Sequence, residues 1–214
     1  MAAIARRRGW RLEAPSNLVT LTLSSCKNLS VYLEECEEMV PSNNQGEGDI
    51  QLPRLREVLI QYCPKLKEVP HYIVFSPTLK KLEMNDCPEL GGSQPRLPPL
   101  LEYLELSGDV GVFSKSLPLV GPNLKSVRIL FSPHSSLPKG FNQLTSIQSL
   151  GLYRCETLDF EREELKHLTM LQHLRIDYCR ILRVRFGEGK DWRSTLSHVP
   201  KIIIDNNDIT RSRN

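Results

Sequence analysis

Residues 79–87 read LKKLEMNDC, from Leu79 to Cys87. Nearly the same nine letters recur as LVTLTLSSC from Leu18, LREVLIQYC from Leu55, IQSLGLYRC from Ile147 and LQHLRIDYC from Leu171. Inside the stretch, Leu82, Glu83 and Met84 alternate apolar, polar, apolar. That is the period of a strand with one face buried. Leu104, Glu105 and Leu106 repeat the pattern in the copy that starts at Leu101. So short a strand cannot bury its apolar side alone; stacked copies can, each covering the next.

The unit, apolar-x-x-apolar-x-apolar-x-x-C/N/S/D, starts at Leu18, Leu55, Leu79, Leu101, Leu124, Ile147, Leu171 and Val199. The intervals are 37, 24, 22, 23, 23, 24 and 28 residues. A period of roughly 20–29 residues with this lettering is the leucine-rich repeat signature, and 33 of the 214 residues are leucine. The expected fold class is α/β: a leucine-rich repeat solenoid, or horseshoe. One parallel sheet lines its concave face, with short helices and irregular segments on the convex face. The domain spans 18–210 in about eight repeats, with an exposed loop insertion at 41–50. Residues 1–17 and 211–214 read as tails.

Cys26, Cys63, Cys87, Cys155 and Cys179 share one register of the repeat, and Cys36 fits a weaker copy at Asn28–Met39. A residue type tied to a register answers to that register's environment. Just past each strand the chain turns inward, and its buried backbone groups need hydrogen bonds. A small side chain with a donor meets that need. Asn207, Ser132 and Asp109 are expected to hold the same place where cysteine is absent. The thiols are therefore read as reduced and structural, which implies an intracellular, cytoplasmic chain.

Proline after the cysteine (Pro64, Pro88) and the apolar follow-ons Leu66, Leu90, Leu158 and Leu182 mark the returning segments. Helices are expected at Glu161–Leu168 and at Asp191–His198, with Asp191 as N-cap.

A net charge of +3 is too weak to argue for nucleic acid. No apolar run approaches the roughly 18 residues a membrane helix needs. The arginines near the N-terminus (Arg6, Arg7, Arg8, Arg11) lack the apolar stretch of a secretory signal. No G-x-S-x-G elbow appears. The acidic group Glu34–Glu38 reads as solvated surface. His167 and His173 lack further ligands for a metal site. No enzyme activity, cofactor or metal is expected.

The phrases LPRLREVLIQYCPKLKEVP, SLPKGFNQLTSIQSLGLYRCETL and GEGKDWRSTLSHVPKIIIDNNDI carry a family likeness. Over about residues 15–210 the chain resembles the C-terminal repeat region of plant intracellular immune receptors of the coiled-coil, nucleotide-binding, leucine-rich class. The closing phrase, with Gly187, Gly189, Asp191, Trp192 and Ile202–Asp205, is its most specific part. The resemblance implies two partners. One is a pathogen effector or guarded host protein, and the other is the nucleotide-binding domain of the parent receptor. It also implies a disease-resistance role. No G-x-x-x-x-G-K-[ST] loop is present, so the chain is expected to be a fragment that binds without the nucleotide switch. A second class, the leucine-rich substrate receptor of a ubiquitin ligase, favours intervals near 26 and an F-box segment.

In such a horseshoe the outward strand residues form the binding face. Tyr103, Glu105, Arg128, Phe131, Tyr153, Arg154, Arg175 and Tyr178 are the candidate protein-binding residues, since tyrosine and arginine are enriched at binding hot spots.

Overall fold

The computed structural model describes residues 2–5, 17–26, 52–91, 96–117, 123–186 and 196–210. Each of the eight unit starts stands two residues ahead of a strand. These are β2 (Thr20–Ser24), β3 (Glu57–Gln61), β4 (Lys81–Asn85), β5 (Tyr103–Ser107), β6 (Ser126–Leu130), β7 (Ser149–Tyr153), β8 (His173–Asp177) and β9 (Lys201–Ile204). They pair in sequence order, all parallel and without a register slip. Every crossover thus brings the chain back beside the strand it has just left, which is a solenoid-like arrangement. Two further strands close the ends. β1 (Ala2–Ala5) pairs parallel with β2, inside what the sequence marks as a tail. β10 (Asn207–Asp208) pairs antiparallel with β9.

The common register stacks like on like. Leu21, Val58, Leu82, Leu104, Val127, Leu150, Leu174 and Ile202 form one buried row. Leu23, Ile60, Met84, Leu106, Ile129, Leu152, Ile176 and Ile204 form the next. The unit-start residues and the follow-ons Leu66, Leu90, Leu158 and Leu182 complete the same core. Each such side chain contributes about 1.5–3 kcal/mol of burial before chain entropy is subtracted. A one-residue slip would turn both rows to solvent, so the pattern locks the register.

The cysteine register lies at the inward turn, as its spacing implies. Cys26, Cys63, Cys87, Cys155 and Cys179 are free thiols, all but Cys26 fully buried. Each donates to the carbonyl two residues back: Cys63 Sγ to Gln61 at 3.3 Å, Cys87 to Asn85 at 3.3 Å, Cys155 to Tyr153 at 3.4 Å. The sulfurs also accept from the neighbouring coil, Cys26 N–H to Cys63 Sγ and Cys155 N–H to Cys179 Sγ, both 3.4 Å. Contact with the sulfur next in the ladder, then burial, pushes the Cys26, Cys87 and Cys179 thiols above their ordinary range. Ser132 and Asp109 take the same place with local bonds, Ser132 Oγ accepting from His134 N–H and Asp109 Oδ1 from Gly111 N–H. Cys36 and the copy around it lie outside the described residues, as do the 41–50 insertion and Trp192.

Asn207 departs from the expected pattern. Register alone would set it in the cysteine place, but Asp205 and Asn206 both adopt left-handed φ, 47° and 66°. Two consecutive positive φ values make the tight hairpin whose twist suits paired strands. The chain therefore reverses at 205–206, and Asn207 pairs with Ile204 in β10, exposed. The reversal covers much of the last strand's edge, which would otherwise present unpaired backbone groups.

The returning segments hold little helix. The expected helix at Glu161–Leu168 is a 3-10 turn, Arg162–Leu165, closed by a capping box between Glu161 and Glu164. Most of Asp191–His198 lies outside the described residues. α1 (His71–Val74) and α2 (Arg180–Phe186) were not expected. α2 buries Leu182 and Phe186, one turn apart, with the Phe186 ring 5.6 Å from that of Phe160. Among the described residues no helix is long and apolar enough to cross a membrane.

Candidate binding face

The polar strand residues and the corners that follow them share the open side of the sheet, but they divide into two kinds of row. Within the strands, the register places Glu83, Glu105, Arg128, Gly151 and Arg175 side by side along the middle row. Tyr103 stands two residues ahead of Glu105 and on the same face. Its hydroxyl donates to Glu105 Oε2 at 2.6 Å and accepts from Arg128 Nη1 at 3.2 Å. Arg128 Nη1 also lies 3.1 Å from Glu105 Oε2. Burial, and then the bond to Glu105, push the Tyr103 phenol up to about 12. The group therefore stays protonated and can keep donating at any physiological pH.

The Tyr153 ring, two residues on, fills the gap in that row. Gly151 has no side chain, and Tyr153 lies over it; a Cβ there would stand 2.6 Å from Tyr153 Cε2. The ring is flanked by two guanidinium groups, Arg128 at 4.7 Å and Arg175 at 5.9 Å from its centroid. Like charges one coil to each side are tolerated because the ring's negative face lies between them, and because each arginine has its own carboxylate. For Arg175 this is Asp177, which receives Nε at 2.6 Å. Asp177 is 3 % exposed. Its other oxygen accepts the Asn206 N–H at 3.2 Å, while Arg175 Nη2 donates to Asn206 Oδ1 at 2.7 Å. Arg175 and Asp177 thus fasten the closing hairpin to β8.

The second row runs along the corner just past each strand. Ser25, Tyr62, Asp86, Phe131, Arg154 and Tyr178 adopt φ of 47–56°, with Gly108 at 68° in the coil between Asp86 and Phe131. Left-handed backbone is uncommon for bulky side chains and costs about 1–2 kcal/mol. A ladder of backbone bonds sustains it: Tyr62 N–H to Asn85 O, Asp86 to Ser107, Gly108 to Leu130, Phe131 to Tyr153 and Arg154 to Asp177, all 2.8–2.9 Å. At the last rung the Asp205 carboxylate replaces the carbonyl, accepting the Tyr178 N–H at 2.7 Å.

All eight sequence-selected residues stand on the open side, in two groups. Tyr103, Glu105, Arg128, Tyr153 and Arg175 belong to the strands and are bound to one another or to the hairpin. Phe131, Arg154 and Tyr178 belong to the corner. Arg154 sits between the two rings, 5.7 Å from Phe131 and 5.6 Å from Tyr178. The rings are 51 % and 58 % exposed. Among the described residues, no carboxylate lies within ion-pair distance of Arg154. Sequence reasoning missed Asn206 and the fastening role of Asp177. The Asp-Asn dipeptide at 205–206, a hairpin signal, was the clue. Among the described residues no group of three His, Cys, Asp or Glu side chains converges as a metal ion would require.

Comparison with protein-family models and with curated proteins finds no match to this chain.

Proposed function

We propose that the chain is a protein-recognition module: the leucine-rich repeat region of a plant intracellular immune receptor of the coiled-coil, nucleotide-binding class. On this reading it works in the cytoplasm and binds a pathogen effector or guarded host protein on its open face. It does so without the nucleotide switch, which belongs to the rest of such a receptor. One observation carries the binding reading. Phe131, Arg154 and Tyr178 form a contiguous exposed row on strained corners, where Arg154 has no anion among the described residues. Strained backbone persists where surrounding structure over-determines it, and such positions cluster at ligand contacts. Aromatic and arginine side chains on a rigid scaffold are also the usual anchors of protein interfaces.

The test is a two-hybrid screen of secreted pathogen proteins against the full chain, repeated with Phe131, Arg154 and Tyr178 all changed to serine. A control variant, Val184→Ser, alters an exposed apolar residue of α2 instead. Partners should be lost with the triple variant and kept with the control. Partners that survive the triple variant would sink the proposed face. The receptor class is tested by the transcript upstream of Met1: an F-box there, in place of a phosphate-binding loop, would overturn it.

A further inference from the structure

We propose that the partner seats an acidic side chain, flanked by apolar ones, on Arg154 between Phe131 and Tyr178. The inference rests on the binding reading above and names the chemistry of the segment that is bound. Three observations lead to it. First, the strand-row arginines are already neutralised, Arg128 by Glu105 at 3.1 Å and Arg175 by Asp177 at 2.6 Å. Among the described residues Arg154 has no such partner, and it is exposed. Second, the acid nearest along the corner, Asp205, is engaged elsewhere. It accepts the Tyr178 N–H at 2.7 Å and lies 3.4 Å from Arg183 Nε. Third, among the described residues the cation is held by ring faces and not by side-chain hydrogen bonds, at 5.7 and 5.6 Å from their centroids. Stacking orients a guanidinium while leaving its N–H edge available.

That edge is a planar fork matched to a carboxylate. A phosphate dianion would call for more than one free cation, and the two neighbouring arginines are committed. The half-exposed rings on both sides supply apolar contact for the residues next to the acid. The fitting segment is therefore apolar, then Asp or Glu, then apolar.

The experiment pans a phage-displayed library of random twelve-residue peptides against the full chain and against Arg154→Gln, Arg154→Glu and the serine triple variant. Glutamine and glutamate carry a Cβ as arginine does and meet the same left-handed backbone cost. Circular dichroism should therefore match the parent chain, with the unfolding midpoint lowered only by the loss of the two cation–ring contacts. Acid-bearing peptides with apolar neighbours should be enriched on the parent chain. Arg154→Gln should weaken them by about tenfold or more, and Arg154→Glu should select basic peptides instead. Peptides that bind the parent chain but not the serine triple variant, while ignoring the charge at 154, would overturn this inference and leave the binding face standing. Failure to enrich any peptide above the serine triple variant would overturn both.

Discussion

Arg128 and Arg154 stand one coil apart on the same side of the sheet, and the chain treats them differently. Arg128 lies in β6 and is committed on three sides: to Glu105, to the Tyr103 hydroxyl and to the Tyr153 ring. Arg154 lies one residue past β7, on a left-handed corner, and touches only ring faces among the side chains described. The strand rows pair their charges with one another, although Arg128 Nε and Asn85 Oδ1 are buried without a hydrogen-bond partner among the described residues, while the corner row holds half-exposed side chains on left-handed backbone. The charge of a residue on this side therefore says little about its availability. What decides availability is whether it projects from the sheet or from the turn after it.

The largest effect that can break this contrast is at Asp177. Asp177→Ala leaves Arg175 Nε and the Asn206 N–H without their acceptor in a nearly buried place. It should lower stability by about 2 kcal/mol, read as a shift of the urea midpoint. Arg154→Ala gives up two exposed cation–ring contacts and should cost about 1 kcal/mol at most. Equal losses would show that strand and corner rows are held alike.

Corner strain is the next test. Tyr62 has φ 54° and is 55 % exposed. Asparagine tolerates left-handed backbone, so Tyr62→Asn should raise stability by about 1 kcal/mol. Phe131→Asn should gain the same relief but lose the Arg154 contact, leaving a net change near zero. Thermal melts of the two variants compare them directly. A loss at Tyr62 would mean that the corner aromatics stabilise the fold and are not held there at its expense.

The last test is at Gly151. Gly151→Ala sets a Cβ against the Tyr153 ring. The ring is a movable side chain, so the cost should be about 0.5–1 kcal/mol as the Arg128 and Arg175 contacts loosen. In a Tyr153→Ala background the same change should cost nothing, and that double-mutant cycle isolates the ring's place between the two arginines.

Most of the scaffold was legible because it is written in a local code. Leu82 and Met84 point inward for the same reason as Leu104 and Leu106, and a repeated spacing lets each strand be located from its own residues. The cysteine register was legible too, since a repeated small donor implies a repeated buried turn. The site was less so. Phe131, Arg154 and Tyr178 were found as residues on the open side, but nothing in their letters distinguishes a corner from a strand. α2 was missed because seven residues are too few for a helical period to show.

From its letters alone, the chain determines where each of the eight repeat strands begins, which of their side chains enter the core and which register they keep, because burial of an alternating pattern depends only on neighbours in sequence. The tertiary structure decides how the charges are shared. Whether Arg175 meets a partner or closes a hairpin depends on Asp177 and on Asn206, the latter 31 residues along the chain. Whether Arg154 is left open depends on which coils lie beside it. Electrostatic pairing is set by distance in space, and only the stacked coils bring those groups within reach.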